Sequence, residues 1–106
     1  MLETIKSGTE ISDLFVHGRR FSSPYLTLII MKIQHDQRGR VAFIAGKKLG
    51  NAVWRNKAKR RMRALCKDCG GSWAKYDVIF LAKSPINEAT YSKVLDACNN
   101  LLQKTF

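Results

Sequence analysis

The stretch Arg40 to Gly71, RVAFIAGKKLGNAVWRNKAKRRMRALCKDCGG, decides how this chain folds. Its first six residues, Arg40 to Ala45, are rich in β-branched and aromatic types and read as a strand. Gly46 to Gly50 is a loop, and Asn51 is a good N-cap for a helix running to about Cys69. At roughly 100° per residue, Trp54, Ala58, Met62, Leu65 and Cys69 fall in one narrow arc of that helix. Arg55, Asn56, Lys59, Arg60, Arg63 and Lys67 cover the broad face away from it, and Lys57 and Arg61 flank its other edge. Gly70-Gly71 stops the helix. Tyr76 to Ala82, YDVIFLA, is again a strand, closed by Lys83-Ser84-Pro85. Strand, helix and strand in succession predict a parallel pair with the basic helix as crossover. The generic expectation for its hand is right-handed.

Upstream, Tyr25 to Ile33, YLTLIIMKI, is the strongest strand signal in the chain. Period two puts Leu26, Leu28 and Ile30 on one face and Tyr25, Thr27, Ile29 and Met31 on the other. The first face reads as core; the second, with a phenol and a hydroxyl, reads as core under a mobile helix or as a half-open surface. Gln34 to Gly39 is a polar turn, which makes Arg40 to Ala45 the expected antiparallel partner of that strand. Phe21-Ser22-Ser23-Pro24 reads as a short extended segment or turn. Before it, Ser7 to about His17 is a helix with capping-box spacing at Ser7 and Glu10, an apolar stripe of Ile11, Leu14 and Phe15, and Gly18 as a suitable C′ residue. The last helix begins near Thr90, where Tyr91, Val94, Leu95, Cys98, Leu101 and Leu102 form the cleanest amphipathic pattern. Six such side chains at roughly 1.5–3 kcal/mol each make it a core helix.

A chain of 106 residues supports one domain, expected over residues 1 to 106, with helices packed on a single sheet. The net charge is +11 and its distribution is uneven. Between Asp36 and Asp68 there are 11 Lys and Arg and no acid, which leaves eight bases against eight acids elsewhere. One-sided charge of this kind is the footprint of a polyanion binder, because neutralised phosphates release counterions. Cys66, Cys69 and Cys98 make an odd number of thiols, read as free cysteines of a reducing cytoplasm. Cys66-x-x-Cys69 lacks a second pair, and both residues fall on the apolar side of the helix, so they are expected as small core residues. No apolar run approaches the roughly 20 residues that span a bilayer, and a soluble protein without membrane contact is expected.

The residues do not assemble an obvious catalytic centre. Acid–base or metal-assisted hydrolysis needs a histidine or carboxylate constellation, and the eight acids are scattered. Gly46-Lys47-Lys48-Leu49-Gly50 fails the phosphate-loop pattern at its spacing and its hydroxyl. The basic helix suits nucleic acid better than a membrane surface, since its apolar stripe is used up on the sheet. Lys47 and Lys48 precede a helix N-terminus and can form an anion site with it, while Asn51 and Asn56 add amide groups for sugar and base edges.

Lys47-Lys48-Leu49-Gly50-Asn51-Ala52-Val53-x-Arg55-Asn56-x-x-Lys59-Arg60-x-x-Arg63 resembles the RNR motif of the bacterial ribonuclease P protein component, the basic subunit of the ribozyme that removes 5′ leaders from precursor tRNA. The resemblance extends to Leu14-Phe15-x-x-Gly18-Arg19, to Tyr76-Asp77-Val78-Ile79 and to Thr90-Tyr91. It implies an α+β fold, a two-layer α/β sandwich with a small mixed four-stranded sheet, three helices and a left-handed βαβ crossover, against the generic hand. It also implies that Lys47, Lys48, Asn51, Arg55, Asn56, Lys59, Arg60 and Arg63 face the catalytic RNA subunit. Chemistry would then belong to that RNA and its bound Mg²⁺, with no catalytic residue or metal ligand on this chain and no obligate protein partner. The single-stranded leader of precursor tRNA maps onto Phe15, Tyr25, Thr27 and Ile29. The chain departs from the family at its N-terminus, which lacks a basic run, and at Ile11 and Ile29, positions often aromatic. Base–aromatic stacking contributes roughly 1–3 kcal/mol per base, so Phe15 and Tyr25 are expected to carry more of the leader contact.

Ribonuclease P protein subunit is therefore the function expected from the sequence. A ribosomal or assembly RNA-binding protein without a catalytic partner is the alternative, and a self-contained nuclease is disfavoured by the missing constellation.

Overall fold

Residues 4–33 and 39–105 are described by the computed structural model. Three helices, α1 (Gly8–His17), α2 (Ala52–Asp68) and α3 (Tyr91–Thr105), surround four strands, β1 (Arg19–Ser22), β2 (Leu26–Lys32), β3 (Val41–Ile44) and β4 (Tyr76–Ala82). The helix starts follow their caps. Ser7 accepts from the Glu10 N–H, and the Asn51 side-chain oxygen accepts from the Trp54 N–H at 2.9 Å. Short 3-10 turns occupy Lys47–Leu49 and Ser84–Asn87.

The sheet runs β1-β2-β4-β3. β3 and β4 are parallel, as strand, helix and strand in succession required. The expected pairing of β2 with β3 is incorrect: β2 lies antiparallel between β1 and β4, and β3 pairs only with β4 among the strands. The physical reason is that residues Leu26 to Ile30 are buried on both faces. Such a strand is central and needs a partner along each edge. β4 is equally apolar and takes one edge, and the charged, short β1 takes the other. Phe21 and Ser22, expected in an extended segment or turn, therefore form an edge strand. The turn expected at Gln34 to Gly39 lies largely outside the described residues.

Side chains alternate between two cores. One gathers Leu26, Leu28, Ile30, Val78 and Phe80 with Ala58, Met62 and Leu65 of α2 and Val94, Cys98 and Leu101 of α3. The second, smaller one joins Ile29, Ala42 and Ile79 with Leu14 of α1 and Ile5. Because the two sets alternate along the same strands, α2 and α3 lie on one face and α1 covers part of the other. Arg40 fastens that cover: its Nη2 meets the Glu10 carboxylate of α1 and donates to Asp77 Oδ2 of β4 at 3.0 Å. At the end of α1, Gly18 has an ordinary φ of −70°, so it is not there to adopt a left-handed turn. A Cβ would lie 2.5 Å from the Leu14 carbonyl oxygen and 2.6 Å from Ile29 Cγ2, and close approach is what requires glycine.

Candidate nucleic-acid interface

α2 lies on the sheet through Ala58, Met62, Leu65 and Cys66, all fully buried. That fixes the rest of its circumference. Asn56, Arg60 and Arg63 are exposed and Arg55 and Lys59 are half-buried along one margin, while Lys47, Lys48 and Asn51 are exposed at the N-terminal end. Asn51 uses its side-chain oxygen for the cap and is exposed. Among the described residues the only ion pairs involve Arg40, so none of them neutralises the positive charge of this face. All eight residues expected at the RNA subunit thus share the helix and its entry turn.

Two arginines on the same helix have different tasks. Arg63 lies over the Phe43 ring, 5.7 Å from its centroid, and Phe43 packs on Phe80, which stacks on Trp73. Its guanidinium is seated by this aromatic column. Arg61 turns the other way and donates from Nη1 to the Ile86 and Ala89 carbonyls at 2.9 and 2.7 Å. It ties α2 to the segment before α3 and is a structural residue. Asn87 adds a second tie, donating to the Trp54 carbonyl at 3.0 Å.

The residues expected at the leader do not share one open surface. Ile29 is fully buried and Thr27 nearly so, at 6% exposure. Its hydroxyl lies 3.0 Å from that of Ser22. Ile29 packs within the cluster that Leu14 and Phe15 cover, so of the two readings of this face of β2, core under a helix or half-open surface, its Thr27 and Ile29 positions follow the first. Tyr25 precedes β2 and packs against the opposite core. The turn from Ser23 to Leu26, in which Ser23 Oγ accepts from the Tyr25 and Leu26 N–H groups, breaks the alternation that would place it with Thr27. Phe15 remains half-exposed on this side. Register aligns Ser22, Thr27, Leu81 and Ile44 in one row across the four strands, and Leu81 and Ile44 are its partly open members.

Comparison with known proteins decides the family. The family model described as Ribonuclease P matches residues 2–105. The chain belongs to the ribonuclease P protein family. It is 28% identical over 104 residues to the ribonuclease P protein component of Clostridium novyi, covering 96% of this chain and 92% of that one. It is 31% identical over 88 residues to that of Syntrophomonas wolfei, covering 82% and 73%. Among solved structures, the Staphylococcus aureus RNase P protein superposes with a TM-score of 0.84 at 23% identity, covering 99% of this chain and 96% of that chain. The RNase P protein from Thermotoga maritima gives 0.80 at 20%, covering 96% of each. These likenesses show that the fold is shared.

As a ribonuclease P protein, the chain serves tRNA 5′ processing within a ribonucleoprotein and has an RNA partner. Its cysteines are packing residues: Cys66 and Cys98 are fully buried, and Cys69 packs half-buried against the same core. Burial pushes the Cys66 thiol up to about 11 and raises those of Cys69 and Cys98. Among the described residues no group of three or more His, Cys, Asp or Glu is arranged to hold a metal ion, and no helix is long and apolar enough to cross a membrane. The α1 side also presents Leu81, Ile44 and Arg20, which sequence reasoning did not single out, because strand order, which it had wrong, decides which residues share a row.

Proposed function

We propose that this chain is a non-catalytic protein subunit whose α2 face docks on the catalytic RNA of ribonuclease P. Lys47, Lys48, Asn51, Arg55, Asn56, Lys59, Arg60 and Arg63 form the contact. The observation that carries this reading is the absence of any ion pair on that face among the described residues. Cations left unneutralised on a rigid helix, next to its positive N-terminal end, are disposed to bind phosphates. The RNA, with Mg²⁺, would supply the chemistry, since the segment between Asp36 and Asp68 contains no carboxylate from which a magnesium cage could be built. Precursor tRNA would place its leader on the α1 side of the sheet, on Phe15 and along the row that includes Thr27, Leu81 and Ile44. Ile29 and Tyr25 would act there only indirectly, through the core. The free thiols fit a reducing cytoplasm.

Reconstitution tests the reading. Added to the cognate catalytic RNA at low Mg²⁺, the protein should stimulate leader removal; no stimulation overturns the subunit role, and cleavage by protein alone overturns the assignment of chemistry to RNA.

A further inference from the structure

Resting on the leader reading above, we infer that Arg20 is itself a leader-binding residue, its guanidinium stacked on Phe15 to form the outer platform for an unpaired nucleobase.

Phe15 was the aromatic expected to stack a leader base, but its ring is not available as a bare surface. Arg20 lies over it, with the guanidinium carbon 5.4 Å from the ring centroid, and Arg20 Nη2 donates to the Phe15 carbonyl oxygen at 3.0 Å. Both contacts hold the guanidinium over the ring. Register places Arg20 opposite Ile29, so it stands on the α1 side of the sheet, one row from Ser22 and Thr27. Arg20 is exposed, whereas Ile29 and Thr27 are buried. On this side Arg20 is thus exposed and Phe15 beneath it half-exposed, while the remaining groups of the row are closed to a base.

The chemistry favours an unpaired RNA base. A guanidinium plane stacks on nucleobases as an aromatic ring does, and RNA recognition commonly splays single-stranded bases onto such planes. One N–H of Arg20 is held by the helix; its other donors have no partner among the described residues and can reach a leader phosphate. Arg20 thus supplies part of the stacking surface that Ile11 and Ile29, both aliphatic, do not.

A competing role exists: the same hydrogen bond places a cation at the C-terminus of α1, which would make Arg20 a helix cap and nothing more. The two roles separate in the reconstituted holoenzyme, by the ratio of affinities for precursor tRNA and leaderless mature tRNA. Arg20→Ala should lower that ratio about five- to tenfold, the loss of one stacked base, with mature-tRNA affinity unchanged. Arg20→Lys should recover less than half of it, since an ammonium keeps the charge but not the plane. On a precursor with abasic leader positions, the deficit of Arg20→Ala should shrink to the part carried by the leader phosphate. A ratio within twofold of wild type for Arg20→Ala overturns the inference, as does full recovery by Arg20→Lys or an undiminished deficit on the abasic leader. If Arg20→Ala unfolds, Arg20→Lys on intact and abasic leaders decides alone. A wild-type holoenzyme that shows no preference for precursor would instead overturn the leader reading itself, whatever Arg20 does.

Discussion

Arg40 holds Asp77 at two points, its backbone N–H donating to Oδ1 at 3.1 Å and its Nη2 to Oδ2 at 3.0 Å. Asp77 is 4% exposed, so this pair is the means by which a carboxylate is tolerated in β4. The same guanidinium meets Glu10 and so clamps α1 over the smaller core. Its affinity for its proton is raised, first by Glu10 and then by Asp77.

Arg40→Ala should therefore destabilise the fold by about 2–4 kcal/mol, read as a lower urea midpoint, because removing one partner leaves a buried charge with only a backbone donor. Glu10 should contribute a pH dependence of the opposite kind from the thiols. The Arg40 hydrogen bond holds its carboxyl below the ordinary range. A depressed carboxyl stabilises above its unfolded value, near 4.3, and the contribution is lost on acidification. Glu10→Gln should flatten the stability profile below about pH 5 and leave it unchanged at neutral pH apart from a constant offset.

Although they lie on one helix, Arg55, Arg60 and Arg61 should behave differently toward RNA. Arg55→Ala or Arg60→Ala should make the salt dependence of catalytic-RNA binding shallower by about one unit per lost phosphate contact. Arg61→Ala should leave that slope unchanged and lower stability by about 1–3 kcal/mol, since it strips the Ile86 and Ala89 carbonyls of a charged donor. Filter binding across a salt series, paired with denaturation, checks both halves.

Gly18→Ala should destabilise without touching the interface. The backbone there suits any residue, so the cost is steric, about 1–3 kcal/mol for a methyl driven against the Leu14 carbonyl and Ile29. A Gly18→Ala protein as stable as wild type would mean that α1 shifts freely over the sheet.

Local signals made the helices legible. Ser7 and Asn51 announced two starts, and the apolar arcs of α2 and α3 gave their buried sides. The basic face of α2 was legible too, because a helix that buries one arc must expose the other. Pairing was less so. That β2 and β3 are adjacent in sequence says little about which edges meet, and the informative feature was the unbroken burial of Leu26 to Ile30, the mark of a central strand. Tyr25 was misplaced for a related reason: period two holds inside a strand and fails across the Ser23 turn at its start. The difference between Arg61 and Arg60 was invisible, since neighbouring arginines look alike until the segment before α3 presents carbonyls to one of them.

The buried thiols give the last prediction. Burial is the first cause of the upward shift of Cys66, to about 11, with the Cys69 charge adding to it. A thiol titrates near 8.5 in the unfolded chain, so above that pH the unfolded state loses a proton that the folded state retains. Stability is then fully present below about pH 8.5 and declines as pH rises towards 11. Denaturant midpoints should fall between pH 8.5 and 10.5 in reducing buffer, and Cys66→Ala should show a shallower fall than wild type whatever its own stability at pH 7. Equal slopes for the two proteins would mean that the Cys66 thiol titrates in the folded protein as it does in the unfolded chain.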